Sequence, residues 1–277
     1  MARIPKDKRI VTICPHGNRS TVGKYILERY GYNVSSLPGG LKAWSSSFES
    51  ANSEFNINRS KVRLIQFRRI GKGCMSYLLN SDAESLVIDP VYPIDEYIQE
   101  ASEIGSKISK IIDTHQHADH VSAAKELSQQ TGALYYQSKY ENYSDEGKGN
   151  IQIRDGDIIN VGKIKVKAIY TPGHTQGSIS FLVEGDANEQ NNTKLLFTGD
   201  TLFVNGIGRP DLRDKAKEFS SQLYDTLHNK LFILDEVVIV FPAHFDKDIE
   251  SEKVLSSTIG EIKKKSDLMR LKKTRFY

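Results

Sequence analysis

The sequence predicts a mixed α/β chain of the α+β kind, a helix–sheet–sheet–helix sandwich with a small α/β segment in front of it. Three observations predict it. From Lys61 onward, short β-rich runs fall into two groups, with helical patterns over Ile94–Ile104, Val121–Gln130, Glu218–Leu231 and Val254–Lys265. Several of the β-rich runs end on His or Asp beside Gly or Pro, as scaffold strands do when they deliver side chains to a site. Near the N-terminus, a short strand runs into a cysteine-containing loop and then into a helix.

Composition bounds the rest. A length of 277 residues permits one large domain, or one large and one small. Hydrophobic residues at 38% and charged residues at 26% are ordinary for a globular protein. The net charge of +3 gives no indication of a nucleic-acid partner. The two cysteines, Cys14 and Cys74, argue against a disulfide framework and fit a reducing, cytoplasmic setting. No apolar run approaches the roughly 20 residues of a membrane span, so no membrane partner is expected. The basic start, Met1 to Arg9, precedes an apolar stretch much shorter than the roughly 7–15 residues of a signal peptide. The basic C-terminus, Lys263 to Arg275, is read as a helix with a solvated face.

In chain order, Arg9 to Ile13 is a short apolar strand. It leads through Cys14-Pro15-His16-Gly17-Asn18-Arg19-Ser20 into a helix with Val22, Tyr25, Ile26 and Tyr30 on one face, stopped by Gly31. A tight loop at a helix N-terminus points backbone N–H groups inward and favours negative charge. Cys14 should therefore have a depressed pKa, and Arg19 is placed to pair with an anion in the loop. Ser45 to Asn58 is rich in Ser, Asn and Glu without periodicity and is read as a linker. The expected organisation is a segment over 1–48, a linker over 49–60 and a large domain over 61–277. Strands are expected over Val62–Arg68, Cys74–Leu79, Leu86–Asp89, Ile108–Ile112, Leu134–Gln137, around the turn at Asp155-Gly156-Asp157, and over Ser178–Val183, Lys194–Phe197 and Val237–Phe241. Cys74 falls in a strand pattern and is read as a small core residue.

The chemistry concentrates in Thr114-His115-Gln116-His117-Ala118-Asp119-His120, which holds three of the seven histidines. His115 and His117 stand two residues apart at a strand end, so their rings can point the same way. Asp119 and His120 follow on the loop and can face a second position. His174 in Thr171-Pro172-Gly173-His174, Asp200 in Thr198-Gly199-Asp200 and His244 in Pro242-Ala243-His244 each follow another strand-like run. So dense a set of histidines and carboxylates points to a metal. His16 and His228 lie outside the set, and His228 is read as structural.

The pattern His115-x-His117-x-Asp119-His120 with His174, Asp200 and His244 resembles the metallo-β-lactamase superfamily over about residues 61–277. The resemblance implies an αββα sandwich. Some members with this ligand set are dinuclear zinc hydrolases such as glyoxalase II; others are persulfide dioxygenases with one iron. For the latter the resemblance implies one Fe(2+) on His115, His174 and Asp200, a two-histidine, one-carboxylate triad. His117, Asp119, His120 and His244 then orient ligands and bound water, or hold a second metal as in the hydrolases. The run Gly206-Ile207-Gly208-Arg209-Pro210-Asp211-Leu212 looks like the Gly-Arg-x-Asp segment of the dioxygenases and makes Arg209 and Asp211 candidate substrate contacts. Asp246 stands where a tyrosine that helps hold glutathione often stands, which leaves the thiol carrier open.

Cys14, four residues, then Arg19 resembles the active loop of rhodanese-type sulfurtransferases, and Leu37-Pro38-Gly39-Gly40-Leu41-Lys42-Ala43-Trp44 looks like the end of that domain. Tyrosine phosphatases carry one residue more. The resemblance implies Cys14 as a persulfide carrier. It covers only the C-terminal half of that domain, about residues 8–48, which is little for an independent core. An active sulfurtransferase and a remnant both remain open.

The expected function is oxidation of a low-molecular-weight persulfide with O2 to sulfite and thiol at one iron, in a homo-oligomer. The alternative is a thioester hydrolase with two Zn(2+) ions. A non-enzymatic sulfur carrier is a third reading, and it has no use for so complete a ligand set.

Overall fold

The computed structural model describes residues 4–119, 121–141, 150–185, 193–211, 215–245 and 252–266. They form two compact units: the described residues up to Glu49 together with Arg68–Gly73, and Ser50–Phe67 together with the described residues from Cys74 on. Among the described residues no helix is long and apolar enough to cross a membrane.

The first unit holds β1 (Ile10–Thr12), α1 (Asn18–Arg29), β2 (Val34–Ser36) and α2 (Gly40–Ser45). The two strands pair in parallel, Ile10 opposite Val34, with α1 as the crossover that parallel strands require. The helix stops where expected, at a left-handed Gly31 with φ 77°. Its apolar face is exposed, however: Val22 at 58%, Tyr25 at 60%, Ile26 at 52% and Tyr30 at 69%. A two-stranded sheet is too small a layer to cover a whole helix face.

The stretch read as a linker is a strand. β3 (Phe48–Ile57) pairs with β4 (Ser60–Arg69) in a hairpin-like connection of two residues, Asn58 and Arg59, both at positive φ. Its alternation is nearly hidden because few positions are apolar, yet Ala51 and Ile57 are buried, and Glu54 points outward to Lys61 at 2.6 Å and Arg63 at 3.3 Å. The loop Arg68–Gly73 also groups with the N-terminal unit, where Arg69 Nε donates to Ser45 O at 2.7 Å and the buried Arg68 guanidinium meets Glu49 at 3.3 Å.

The larger unit is built on two sheets. The first runs β3-β4-β5-β6-β7-β8-β9, with β5 (Cys74–Ser81), β6 (Glu84–Ile88), β7 (Lys107–Ile112), β8 (Leu134–Ser138) and β9 (Ile151–Ile153). The second runs β10-β11-β12-β13-β14-β15, with β10 (Ile158–Val161), β11 (Ile164–Tyr170), β12 (Ile179–Glu184), β13 (Leu195–Gly199), β14 (Ile239–Pro242) and β15 (Ser257–Thr258). Helices α3 (Asp95–Glu103) and α4 (Ala124–Thr131) accompany β7. Helix α5 (Ala216–Thr226) continues as a wider π turn over Leu227–Leu231, and α6 (Ile259–Lys265) opens on a Thr258/Glu261 capping box. The helix expected from Val254 therefore starts later, at Ile259, because residues 254–256 are irregular and Ser257–Thr258 form β15. Most of the basic C-terminal stretch lies outside the described residues.

Period-two patterning explains the stacking. In β11, Ile164, Val166 and Ala168 face in while Lys165 and Lys167 face out. Their inward side chains join Leu79, Leu86 and Ile88 of the first sheet in one inter-sheet core. At its centre Phe197 stacks on Phe241 at 5.2 Å and meets Tyr77 edge-on at 5.1 Å. Cys74 opens β5 and is buried, at 1% exposure. On the outer face of the second sheet, Leu223, Leu227 and Leu231 of α5 and its extension pack on Leu182, Leu196 and Val240. Strand ends β7, β11, β13 and β14 then carry the chain into the loops that bear His115, His174, Asp200 and His244.

Candidate metal centre

Beyond β7 the chain stays buried through Asp113, Thr114 and His115. Thr114 is held by Asp89, at the end of β6: the Thr114 N–H donates to Oδ1 at 2.6 Å and its hydroxyl to Oδ2 at 2.8 Å. With that proton given away, Thr114 Oγ1 accepts from His115 Nδ1 at 2.9 Å. His115 Nε2 is left as a bare lone pair. His174 is fixed in the same way, its Nδ1 donating to Arg209 O at 3.0 Å. Asp89 itself sits at φ 51°, a left-handed conformation that aspartate tolerates better than most residues.

Both Nε2 atoms face one carboxylate oxygen. His115 Nε2 lies 3.8 Å and His174 Nε2 3.5 Å from Asp200 Oδ2, and the three donor atoms lie within 4.8 Å of one another. Ligands bound to one ion at about 2.0–2.2 Å stand about 3.0–3.5 Å apart, so the three residues fit a shared divalent metal with little movement. Close packing sets Asp200 in place. Gly199 has φ 51°, and a Cβ there would stand 2.4 Å from Thr114 Oγ1.

The electrostatics suit the same task. Burial pushes His115 down to about 3, with the neighbouring His117 charge adding to it, and burial also lowers His174, so both imidazoles are neutral. Burial alone would raise Asp200, but the hydrogen bond and positive charge of His244 oppose it and hold the carboxyl ionised. Two neutral imidazoles and one carboxylate are the protonation states that metal binding requires.

The remaining members of the pattern are engaged differently. His117 packs against His115 with ring centroids 4.1 Å apart, and its Nε2 lies 3.2 Å from Asp89 Oδ1. Burial opposes the His117 charge, yet the Asp89 carboxylate wins and raises it to about 9. His244 bridges two acids, Nδ1 at 2.6 Å from Asp200 Oδ1 and Nε2 at 3.0 Å from Asp119 Oδ2. Against burial, these two carboxylates raise it to about 10. His120, Leu212 and Asp246 lie outside the described residues. Arg209 and Asp211 form an exposed pair at 2.7 Å and 3.1 Å. His228 stacks on Tyr224 at 4.1 Å. Asp89 and Thr114 went unrecognised in the sequence; the available signal was a carboxylate closing the apolar run Leu86–Ile88.

In the N-terminal unit, Cys14 has the cradle that the loop pattern implied. Its Sγ accepts from Gly17 N at 3.1 Å and Ser20 N at 3.4 Å, with the Ser20 hydroxyl 3.5 Å away. The Ser20 side chain, then its backbone N–H, lower the thiol to about 6. Arg19 is exposed on the first turn of α1.

The family model described as "Metallo-beta-lactamase superfamily" matches residues 69–244, and the one described as "Rhodanese-like domain" matches 1–47. A Francisella philomiragia "Hydroxyacylglutathione hydrolase" is 34% identical over 172 residues, 61% of this chain and 61% of that protein. The human "Persulfide dioxygenase ETHE1, mitochondrial" is 31% identical over 174 residues, 61% of this chain and 63% of that one. The chain thus spans less than two thirds of the length of these relatives. Among solved structures, ETHE1 from Myxococcus xanthus superposes with TM-score 0.64 at 32% identity, covering 76% of this chain and 86% of that one. A metallo-beta-lactamase from Staphylococcus aureus superposes with TM-score 0.70 at 29% identity, covering 77% and 65%. On the paired sheets and these matches, the chain belongs to the metallo-beta-lactamase superfamily and carries a rhodanese-like segment at its N-terminus.

Proposed function

We propose that the chain is a persulfide dioxygenase. It converts a low-molecular-weight persulfide, O2 and water to the thiol, sulfite and two protons, with one iron(II) on His115, His174 and Asp200. The observation that carries this reading is the separation of roles among the pattern residues. Two neutral imidazoles and one carboxylate oxygen face one another, while His117 is drawn to Asp89 and His244 lies between Asp200 and Asp119. A two-histidine, one-carboxylate set suits non-haem iron(II) and leaves positions open for reactants. Iron supplies the redox chemistry that zinc lacks.

The chain's own residues do the rest. Thr114 and the Arg209 carbonyl fix the tautomers of His115 and His174. His244 occupies Asp200 Oδ1, so that Oδ2 is the oxygen turned to the two histidines. Cationic His244, held between Asp200 and Asp119, adds positive charge close to the candidate centre. The activated Cys14 thiolate supports a sulfur-handling chain, since a thioester hydrolase has no evident use for one.

The second reading, a dinuclear zinc thioester hydrolase, is favoured by the relatives named hydroxyacylglutathione hydrolase. One experiment separates the two. Protein purified without added metal is assayed for iron and zinc, then for O2 uptake and sulfite formation with the persulfides of glutathione, cysteine and coenzyme A, and for hydrolysis of the matching thioesters. One iron per chain with O2 uptake is expected. Two zincs with thioester hydrolysis, and no O2 uptake by the iron-loaded protein, would overturn the proposal.

A further inference from the structure

The two histidines of the candidate centre come from different sheets. His115 follows β7 of the first sheet, and His174 follows β11 of the second. Their spacing therefore depends on how the two loops are tied together. One tie is backbone, Ile179 N donating to Thr114 O at 2.8 Å. A second is a side chain from a third loop. Glu141, three residues beyond β8, is 7% exposed. Its Oε1 accepts from the N–H of Gln116, the residue between His115 and His117, at 3.4 Å. The same oxygen accepts from the hydroxyl of Thr175, the residue after His174.

The clasp is ordered from behind. Ser178 Oγ lies 2.8 Å from Thr175 Oγ1 and accepts from Thr175 N at 3.2 Å, which aims the Thr175 proton at Glu141. The loop closes directly on the carboxylate: a Cβ on Gly177 would stand 2.3 Å from Glu141 Cγ. The second oxygen, Oε2, is buried and takes no hydrogen bond among the described residues. A buried carboxylate with one oxygen unsatisfied is a poor stabilising device. Its position, one residue away from each of two metal-binding candidates, gives it a different use.

We propose that Glu141 is a positioning residue that sets the separation of His115 and His174 by clasping Gln116 and Thr175. This rests on the metal-centre reading above and touches neither the metal nor the substrate. It makes the geometry of the centre depend on an acceptor at position 141, which glutamine supplies and alanine does not.

The test uses the full chain as wild type, Glu141→Ala, Glu141→Gln, Thr175→Val and His174→Ala. Iron(II) and zinc(II) dissociation constants are measured by chelator competition, the visible spectrum of the cobalt(II)-substituted protein reports ligand geometry, and the melting temperature of the metal-free protein reports the fold. Glu141→Ala is expected to weaken metal binding about 10–100-fold, the usual size of a loss behind the ligands, and to alter the cobalt spectrum. Thr175→Val should act in the same direction. Glu141→Gln should stay within about threefold of wild type because its amide oxygen still accepts both hydrogen bonds. Wild-type affinity and spectrum in Glu141→Ala would overturn the inference. So would a Glu141→Gln variant as weak as Glu141→Ala, since charge rather than the clasp would then matter. Should Glu141→Ala fail to fold, Thr175→Val and Glu141→Gln decide by the same criteria. A wild type whose affinity is indifferent to His174→Ala would overturn the metal-centre reading and this inference together. A response to His174→Ala without one to Glu141→Ala or Thr175→Val overturns this inference alone.

Discussion

His244 Nδ1 lies 2.6 Å from Asp200 Oδ1, while the other oxygen of the same carboxylate faces His115 and His174. One aspartate thus divides its two oxygens between a charged imidazole and two neutral ones. That division assigns the residues different weights.

His115→Ala, His174→Ala and Asp200→Ala are each expected to abolish tight metal binding, because two ligands of three remain. His244→Ala should leave the metal bound with affinity lowered about 10–100-fold, since it removes a partner of a ligand and not a ligand. His120→Ala is expected to behave like His244→Ala. Metal content after gel filtration, followed by chelator competition, checks this. Equal loss in all five variants would place a metal on His120 and His244 as well.

That His115, His174 and Asp200 come together is legible in the sequence because such residues are rare and sit where strands end. His115, His174 and Asp200 are recognisable from the Gly and Pro beside them and the apolar runs before them. Asp89 was less visible, because an acid closing a strand is common, and only the fold brings it 2.6 Å from Thr114 N and 3.2 Å from His117 Nε2. Glu141 had no signal at all: nothing in Lys139-Tyr140-Glu141 says that β8 will deliver it between loops of two sheets. The strand β3 was missed for a different reason. Its Ser, Asn and Glu residues mask a period of two that becomes evident from the burial of Ala51 and Ile57. On α1 the periodicity was correct, but periodicity does not say whether a face is covered, and Tyr25 and Tyr30 are exposed.

Phe197→Ala should destabilise the larger unit by about 3–5 kcal/mol, the usual cost of truncating a buried phenylalanine. Phe197 is 1% exposed and lies between Tyr77 and Phe241, so the cavity opens in the inter-sheet core where little can collapse into it. Denaturant unfolding of the metal-free protein measures it. A cost below about 1 kcal/mol would mean that the core repacks freely around the site.

Alkylation of Cys14 by iodoacetamide should follow a titration centred near pH 6. The folded thiol lies below its ordinary value, so the reactive thiolate is present above about 6 and is lost as pH falls through it. Ser20→Ala removes the largest cause and should move the midpoint up toward the ordinary thiol range, about 8.5. A midpoint in that ordinary range for the wild type would mean that the loop does not hold its donors toward Sγ in solution. The buried Cys74 should react only on unfolding.

Cys14→Ser should leave O2 uptake with added persulfide nearly intact while removing any transfer of sulfane sulfur from thiosulfate to a small thiol. The candidate ligands His115, His174 and Asp200 all lie in the larger unit, whereas Cys14 and its donors Gly17 and Ser20 lie in the N-terminal one. The thiolate is equipped to accept sulfane sulfur, since the Ser20 side chain and the backbone N–H groups of Ser20, His16 and Gly17 stabilise negative charge on Sγ. That chemistry needs no metal, and persulfide oxidation needs no second thiolate when the substrate arrives already persulfidated. Both activities are measured on iron-loaded wild type and Cys14→Ser, with iron content determined in parallel. Loss of O2 uptake with iron still bound would show that Cys14 takes part in the oxidation, and the two chemistries would then be one.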